Sequence, residues 1–515
     1  MKPSHARPRR VVERIAPLLT LACALAAPGC TDAEPAAVDP YPDPGAHEPM
    51  AGPGAGHVAI AADKLGAVCA WVSGGPDDKT QHHNLVVPFE GYLFMPWAPE
   101  TAAQGGVSLF DMSNPCQPER VGYATTKQMR ETHSVGFSFE GGRWAVVNHG
   151  EGIIYGGILF WDLADLTNPK VASVLKFDDF LYPDAYEKVT LSVFWQGETV
   201  YVGGGNPGVY IVDASDPTQP KLVEQYTFDP PLRVGQVQAI GDLLVVGSAD
   251  DARAALLDIS DPRKPKPIAG GDFTVRDSTG KPRKYYFNNV RDGLFWATRK
   301  DGGGGLMIWD IRDPSAPKFR AEAVTNGKGG YVFFHEDRAF CGESDHAVGF
   351  DISDLDAIEE IGRWTMTGDL DTATPVGNLL LLSVDDKADK EGAAGSGVVP
   401  LLAAPDTTPP RVTWVWPPDG SKTLRPTSRV GVTLTEMVEP KTAWQGSVRL
   451  YREDLGPERG TVESIVQAQE HLVNVTPRAP LAPGRYVLQV RAGGLRDWAG
   501  NALQEPFEAH YEVLP

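Results

Sequence analysis

A short phrase that occurs six times constrains this chain more than anything else in it. It reads FDMSNPCQP from Phe110, WDLADLTNP from Trp161, VDASDPTQP from Val212, LDISDPRKP from Leu257, WDIRDPSAP from Trp309 and FDISDLDAI from Phe350. Its Asp falls at positions 111, 162, 213, 258, 310 and 351, so the intervals are 51, 51, 45, 52 and 41 residues. A period of this size belongs to architectures built by stacking one supersecondary unit, because a single unit cannot bury its own apolar face.

Each unit reads as strands. The stretches before the Asp, at 107–110, 157–161, 209–212, 255–257, 306–309 and 347–350, are apolar, β-prone and bounded by Gly or polar residues. After the Asp, five copies carry Asn-Pro or Asp-Pro. These favour a turn, because Pro fixes φ while the preceding side chain bonds to nearby backbone. A further strand follows, as at 120–124, 221–228 and 319–324, and a strand pair precedes, as at 134–139 with 144–148 or 236–240 with 243–247. Helical periodicity is nearly absent. Four short antiparallel strands per repeat describe a β-propeller blade. A seventh copy lies at 379–384 and 397–402, where the text is VVPLLAAPD and the phrase Asp is missing. The expectation is an all-β chain: a seven-bladed propeller over residues 57–405, with a six-bladed ring and an irregular end as the alternative.

The phrases resemble LVIVD repeats, a bacterial propeller family named for the strand before its Asp-x-Ser-Asp-Pro turn, over about residues 82–405. That resemblance implies a secreted or surface protein and no common reaction. A second resemblance starts at Asp406. DTTPPRV, WPPDG from Trp416, VGVTLTEMV from Val430, LAPGRYVLQV from Leu481 and GLRDWAGNAL from Gly494 are similar to the Ig-like domain of bacterial surface-layer proteins. It implies a β-sandwich over 406–515, used as a spacer or beside a binding module. Alternating strands with Pro and Gly turns support a sandwich independently. Within it, Trp414 and Trp416 read as sandwich core or as exposed binding aromatics.

The N-terminus reads as a leader. Lys2, Arg7, Arg9, Arg10 and Arg14 precede an apolar run at 15–27, too short for a membrane span. Ala27, Pro28, Gly29 and Cys30 resemble a bacterial lipobox, which implies removal of residues 1–29 and lipidation of Cys30. A plain signal peptide is the alternative. Thr31 replaces the Asp that retains enteric lipoproteins at the inner membrane, so the expected location is the outer membrane. Residues 30–56, rich in Ala, Pro, Asp and Gly, read as a flexible tether.

The net charge of −20 includes this basic leader, so the remainder is more acidic still. It argues against nucleic acid and anionic membrane surfaces as partners. Of five Cys, Cys23 leaves with the leader and Cys30 takes lipid. Cys69 precedes the first blade and Cys116 sits in its turn, so a disulfide between them suits an oxidising compartment. Cys341 is left as a free buried thiol. No Cys spacing resembles a zinc site.

Histidines supply the one hint of chemistry. His83 lies 28 residues ahead of Asp111, next to His82, and His133 lies 29 ahead of Asp162. Equivalent positions on adjacent inner strands would place both imidazoles at the ring axis, where they can bind a transition metal. His149, His335, Glu343 and His346 are further contributors. The structural alternative is shared blade ancestry, since the third to fifth blades offer Thr190, Gln236 and Tyr286 there. No nucleophile elbow or phosphate loop is present. The expected function is a monomeric, non-enzymatic binding or scaffold lipoprotein of the cell envelope, presenting a propeller face to a protein or glycan. The alternative is a metal-dependent extracytoplasmic enzyme with a His-lined axis.

Overall fold

The computed structural model describes residues 41–514 except 42, 55–57, 76–80, 83–84, 100–104, 130–131, 152–154, 178–191 and 385–394. Expected features at Cys23, Cys30, His83, Thr190 and the leader lie outside the described residues. Among the described residues, no helix is long and apolar enough to cross a membrane.

Seven antiparallel sheets follow the repeat. In blade 3 the strands run Val193–Gln196, Thr199–Gly203, Val209–Asp213 and Lys221–Tyr226, paired in that order. Blade 5 has Tyr285–Arg291, Leu294–Arg299, Gly304–Asp310 and Lys318–Thr325. Burial falls from the first strand to the fourth. Tyr285–Arg291 is buried at every position, whereas Lys221–Tyr226 is exposed or half-buried throughout. First strands therefore line the axis and fourth strands form the rim. Apolar residues of neighbouring blades merge into shared clusters, such as Phe160, Trp195 and Val212 between blades 2 and 3, or Trp296, Phe334 and Cys341 between blades 5 and 6.

The repeated Asp closes the turn between third and fourth strands. In all six copies its Oδ1 accepts the backbone N–H two residues on, as from Ser113, Ala164, Ser215, Ser260, Arg312 and Ser353, at 2.8–3.1 Å. Asp165, Asp216, Asp261, Asp313 and Asp354 repeat the device three residues later. These side-chain bonds satisfy the turn backbone that a strand ladder cannot reach.

Blade 7 explains its own missing Asp. Its first three strands are Leu370–Val376, Leu379–Val384 and Gly395–Pro400, and its fourth is Ala70–Ser73, from the other end of the chain. Ala70 pairs with Val398 and Ser73 with Gly395. No turn joins third to fourth strand there, so the phrase has nothing to close. Cys69, one residue before that strand, forms a disulfide with Cys116 in the turn of blade 1, Cα to Cα 5.1 Å. Cys341 is a free, buried thiol.

Residues 406–514 form a sandwich. One sheet orders Val412–Trp416, Val430–Leu434, Leu472–Pro477 and Ser464–Gln469; the other Ser421–Leu424, Phe507–Val513, Gly484–Val490 and Val448–Arg452. Val432, Leu450, Leu488 and Tyr511 fill the space between them. Trp414 and Trp416 serve neither expected role. They pack against the propeller core of blades 3 to 5, because the sandwich is docked on the ring. The segment 30–56 also departs from a free tether where it is described. His47 stacks on Trp444 with centroids 4.7 Å apart, Lys441 Nζ donates to Pro49 O at 2.9 Å, and Gly52 and Gly54 donate to Glu90 O and Gly91 O. Its prolines and small residues fit it to a groove as well as to solvent.

The disulfide spans 47 residues and pins the closing strand. Loop-closure entropy for that length sets an upper limit of about 4 kcal/mol. Replacing both Cys69 and Cys116 by Ser should lower unfolding stability by about 2–4 kcal/mol in non-reducing denaturant titrations. A loss below about 1 kcal/mol would show that the bridge adds nothing to closure.

Candidate functional site

A propeller has two faces, and here one of them is occupied. First strands run into tight turns at Glu90-Gly91, Gly197, Gly241, Asp292-Gly293 and Glu336, all at positive φ. The Ig-like sandwich sits on these turns from blade 1 to blade 6. Glu439 accepts from the N–H groups of Glu90 and Gly91. Arg478 pairs with Glu140. Gln469 Oε1 accepts from Trp195 N at 3.1 Å, and Arg429 N donates to Asp242 Oδ1 at 2.7 Å. Asp292 N donates to Thr433 Oγ1 at 3.2 Å, and His335 Nδ1 lies 3.1 Å from Glu436 Oε2. At Gly241 a Cβ would collide with Trp416 O, so glycine is required for both φ and contact. Asn474 accepts from Gly241 N and Gln196 Nε2 and donates to Ala239 O, all at 2.8–2.9 Å, which buries the residue of the Asn-Val-Thr triplet in the seam.

The axis is filled from the same side. The turn between Ser464–Gln469 and Leu472–Pro477 carries Glu470 and His471 into the ring. Glu470 Oε2 accepts from Asn289 Nδ2 at 3.1 Å, and Asn289 Oδ1 accepts from Gln238 Nε2 at 2.7 Å. Burial pushes the Glu470 carboxyl up to about 7. His471 meets Val290 O at 2.8 Å, and burial lowers its imidazole to about 3, so it is neutral.

Above this plug the axis is aromatic. His133 lies ahead of the inner strand Gly136–Ser138 rather than on it. Its ring is 4.7 Å from Phe287, 5.6 Å from Tyr331 and 6.3 Å from Tyr286, centroid to centroid. Phe287 stacks on Tyr331 at 4.3 Å. Among the described residues, the groups of ligand atoms close enough to share a metal do not include His133. The other sequence candidates lie apart. His149 Nδ1 meets Gln128 O in blade 2. His346 Nε2 is 3.1 Å from Glu343 in blade 6, where Glu343 also accepts from Gly305 N and Thr325 Oγ1. His335 belongs to the opposite, docked face.

The open face displays charge. Lys300 Nζ sits 2.7 Å from Asp250 and 3.9 Å from the Tyr286 ring centroid, and Arg233 is 3.6 Å from Asp250. Asp277 accepts from Thr279 and from Arg283 Nε, which hold its carboxyl well below the usual range.

The seam holds an acidic group that the sequence reading passed over. Asp406, Glu436 and Asp497 are all buried and each offers a carboxylate oxygen within 4.8 Å of the others; His335 and Glu336 adjoin Asp406. Asp497 is held by its own turn, accepting from Asn501 N and Asn501 Nδ2 at 2.8 Å each, while Gly500 takes φ of 91°. Asn501 Nδ2 also reaches Asp406 O at 3.2 Å, so the Asp-x-Ala-Gly-Asn text ties the end of the domain to its start. Burial raises all three carboxyls, Asp497 to about 8 with the charge of Glu436 adding to it. For His335 burial opposes charge, yet the bond and charge of Glu436, with Asp406 and Glu336, outweigh it and raise the imidazole to about 9. The signal available in sequence was the acid at each end of the Ig-like text.

Comparison with known proteins agrees with this architecture. Residues 406–513 match the bacterial Ig-like domain family Big_5, and residues 190–228 and 300–325 match the LVIVD repeat. The chain therefore carries LVIVD repeats in its propeller and an Ig-like domain behind it. No curated protein matches the chain. Among solved structures, the β-propeller domain of Cps50 (Swd1) from Myceliophteria thermophila shows 11% identity and a TM-score of 0.43, covering 64% of this chain and 99% of that one. A functionally unknown protein from Desulfotomaculum acetoxidans shows 10% identity and a TM-score of 0.39, covering 59% and 97%. The extracellular domain of BT4673 from B. thetaiotaomicron shows 14% identity and a TM-score of 0.44; 88% of this chain aligns with 59% of that one. At these scores the likenesses transfer no function.

Glu470 makes the docked state pH-dependent. Its folded value of about 7 exceeds the ordinary 4.5, so the folded chain keeps a proton that the unfolded chain releases. This contribution is therefore lost as pH rises from about 4.5 to about 7. Glu470→Gln, which retains an acceptor for Asn289, should be more stable than the parent at pH 8, by on the order of 2–3 kcal/mol, and equal to it at pH 4. Denaturant unfolding at the two pH values checks this.

Proposed function

We propose that this protein is an exported, non-enzymatic binding or scaffold protein of the bacterial cell envelope. Its ligand, a protein or glycan, is taken on the propeller face opposite the Ig-like domain. One observation carries the choice of face: the sandwich occupies the turns of blades 1 to 6 and Glu470 and His471 fill the axis from that side. Recognition on rigid scaffolds falls to connecting segments. The segments that join blade to blade on the other face are the ones left for a ligand.

A lipid anchor at Cys30 belongs to the same proposal. A lipid on Cys30 would reach the folded body at Tyr41, whose hydroxyl donates to Gln445 Oε1 of the Ig-like domain at 2.9 Å. Eleven residues separate the two positions, a span of about 40 Å at full extension.

Binding of the labelled full chain to isolated envelopes tests the face. Lys300→Glu combined with Asp345→Lys, the exposed acid beside His346 between the second and third strands of blade 6, should weaken saturable binding by about tenfold or more, the effect of truncating contacts at an interface centre. Arg312→Glu, on the sandwich side, should leave it unchanged. Protease or glycosidase treatment of the envelopes then distinguishes protein from glycan. Binding that ignores the first variant, or is lost in the second, rules out the open face. The anchor has its own test: Cys30→Ser should move the protein from the detergent phase to the aqueous phase.

A further inference from the structure

We propose that Asp406, Glu436 and Asp497 form a calcium-binding site in the seam between the Ig-like domain and the ring. Three carboxylates are placed where one ion can touch them all, since their ligand oxygens lie within 4.8 Å of one another. Oxygens held at 2.3–2.6 Å from a common Ca²⁺ lie no farther apart than about 5 Å. The cluster also carries a mark that acidic clusters on surfaces lack. Asp406 Oδ2 and Glu436 Oε1 are buried without a hydrogen-bond partner, in residues only 7% and 2% exposed. Their sister oxygens are used: Asp406 Oδ1 accepts from Thr408 N at 3.0 Å, and Glu436 Oε2 meets His335 Nδ1 at 3.1 Å. His335 Nε2 stands 3.7 Å from Asp406 Oδ2, beyond hydrogen-bond range. A buried carboxylate oxygen left without a hydrogen-bond partner is costly.

The ligand chemistry selects the ion. An all-oxygen set supplied by three loops suits a hard cation with loose geometry. Mg²⁺ demands a near-ideal octahedron and Zn²⁺ prefers nitrogen and sulfur, which leaves Ca²⁺. Bound there, it joins the first residue of the Ig-like domain to the turn at Asp497 and to the segment at Glu436. Through the Glu436 contact to His335 it reaches blade 6. The ion thus stiffens the seam, and it does so where calcium is plentiful, outside the cytoplasm. The site stands on its own geometry and holds whatever ligand the open face takes.

Calorimetric titration of the chelator-stripped full chain with CaCl₂ tests it, with Tb³⁺ luminescence as a second readout. Trp498, next in the chain to Asp497, serves as the antenna. The expected result is one equivalent of Ca²⁺ with Kd of about 10⁻⁴ M, the order of extracellular calcium modules. Glu436→Gln and Asp497→Asn should each weaken it by about tenfold or more, and Ca²⁺ should displace Tb³⁺ from the parent chain. If either variant fails to fold, the titration of the parent chain decides. Failure of the parent to take up Ca²⁺ at about 10 mM, well above that range, overturns the proposal. So does uptake that both folded variants retain unchanged, or uptake of Zn²⁺ alone that is lost in His335→Gln.

Discussion

A ring of sheets must close on itself, and in this protein one short antiparallel pairing does so. Ala70–Ser73 lies against Gly395–Pro400, and Val72 joins Val86, Leu93, Met95, Leu381 and Val398 in a cluster shared by blades 7 and 1. Without that strand the third strand of blade 7 would be an open edge, and blade 1 would lose its packing against Val72. Closure also decides what comes next along the chain. Third strands end on the face that carries the first turns, so the chain leaves blade 7 at Pro400 on that side. Leu401 N donates to Asn378 O there, and Asn378 Nδ2 donates to Leu402 O and Ala404 O. Asp406 then starts the sandwich directly beneath the ring.

Docking the sandwich there is a polar event as much as an apolar one. Asn474, Gln467, Gln469, Arg429 and Glu439 each bond to turn backbone or to buried side chains of the ring. Loss of any one leaves buried partners unsatisfied, which fixes orientation more sharply than apolar contact alone. The Ig-like domain is therefore part of the body of the propeller and closes its axis, rather than a spacer hung from it. The face that remains carries Lys300, Asp250 and Arg233 in one group of ion pairs.

Much of this was legible in the chain itself. Six copies of an Asp-led turn announce strands, blade order and the class of fold, because each copy solves a local problem: pairing the backbone of a tight turn with its own side chain. The degenerate seventh copy was legible as a blade, and its lost Asp finds its reason in a fourth strand borrowed from the N-terminal side. The histidines were legible only in part. Even spacing from the phrase Asp suggested an axial pair; His83 lies outside the described residues, and His133 packs against Phe287 and Tyr331. Trp414 and Trp416 misled, since a residue that faces a second domain looks like core or like surface until that domain is placed.

What the sequence by itself determined, then, is everything set by neighbours in the chain: the strand, the Asx turn, the repeat and the two domain types. Only the tertiary structure decided which face of the ring is covered, where the axis is filled and which acids meet. His335, Asp406, Glu436 and Asp497 are scattered over more than 150 residues and share no spacing. They converge because ring closure delivers the chain to one face and because the turns of six blades hold the sandwich against it. No local pattern encodes that meeting, for it depends on contacts between surfaces that exist only after each domain has folded.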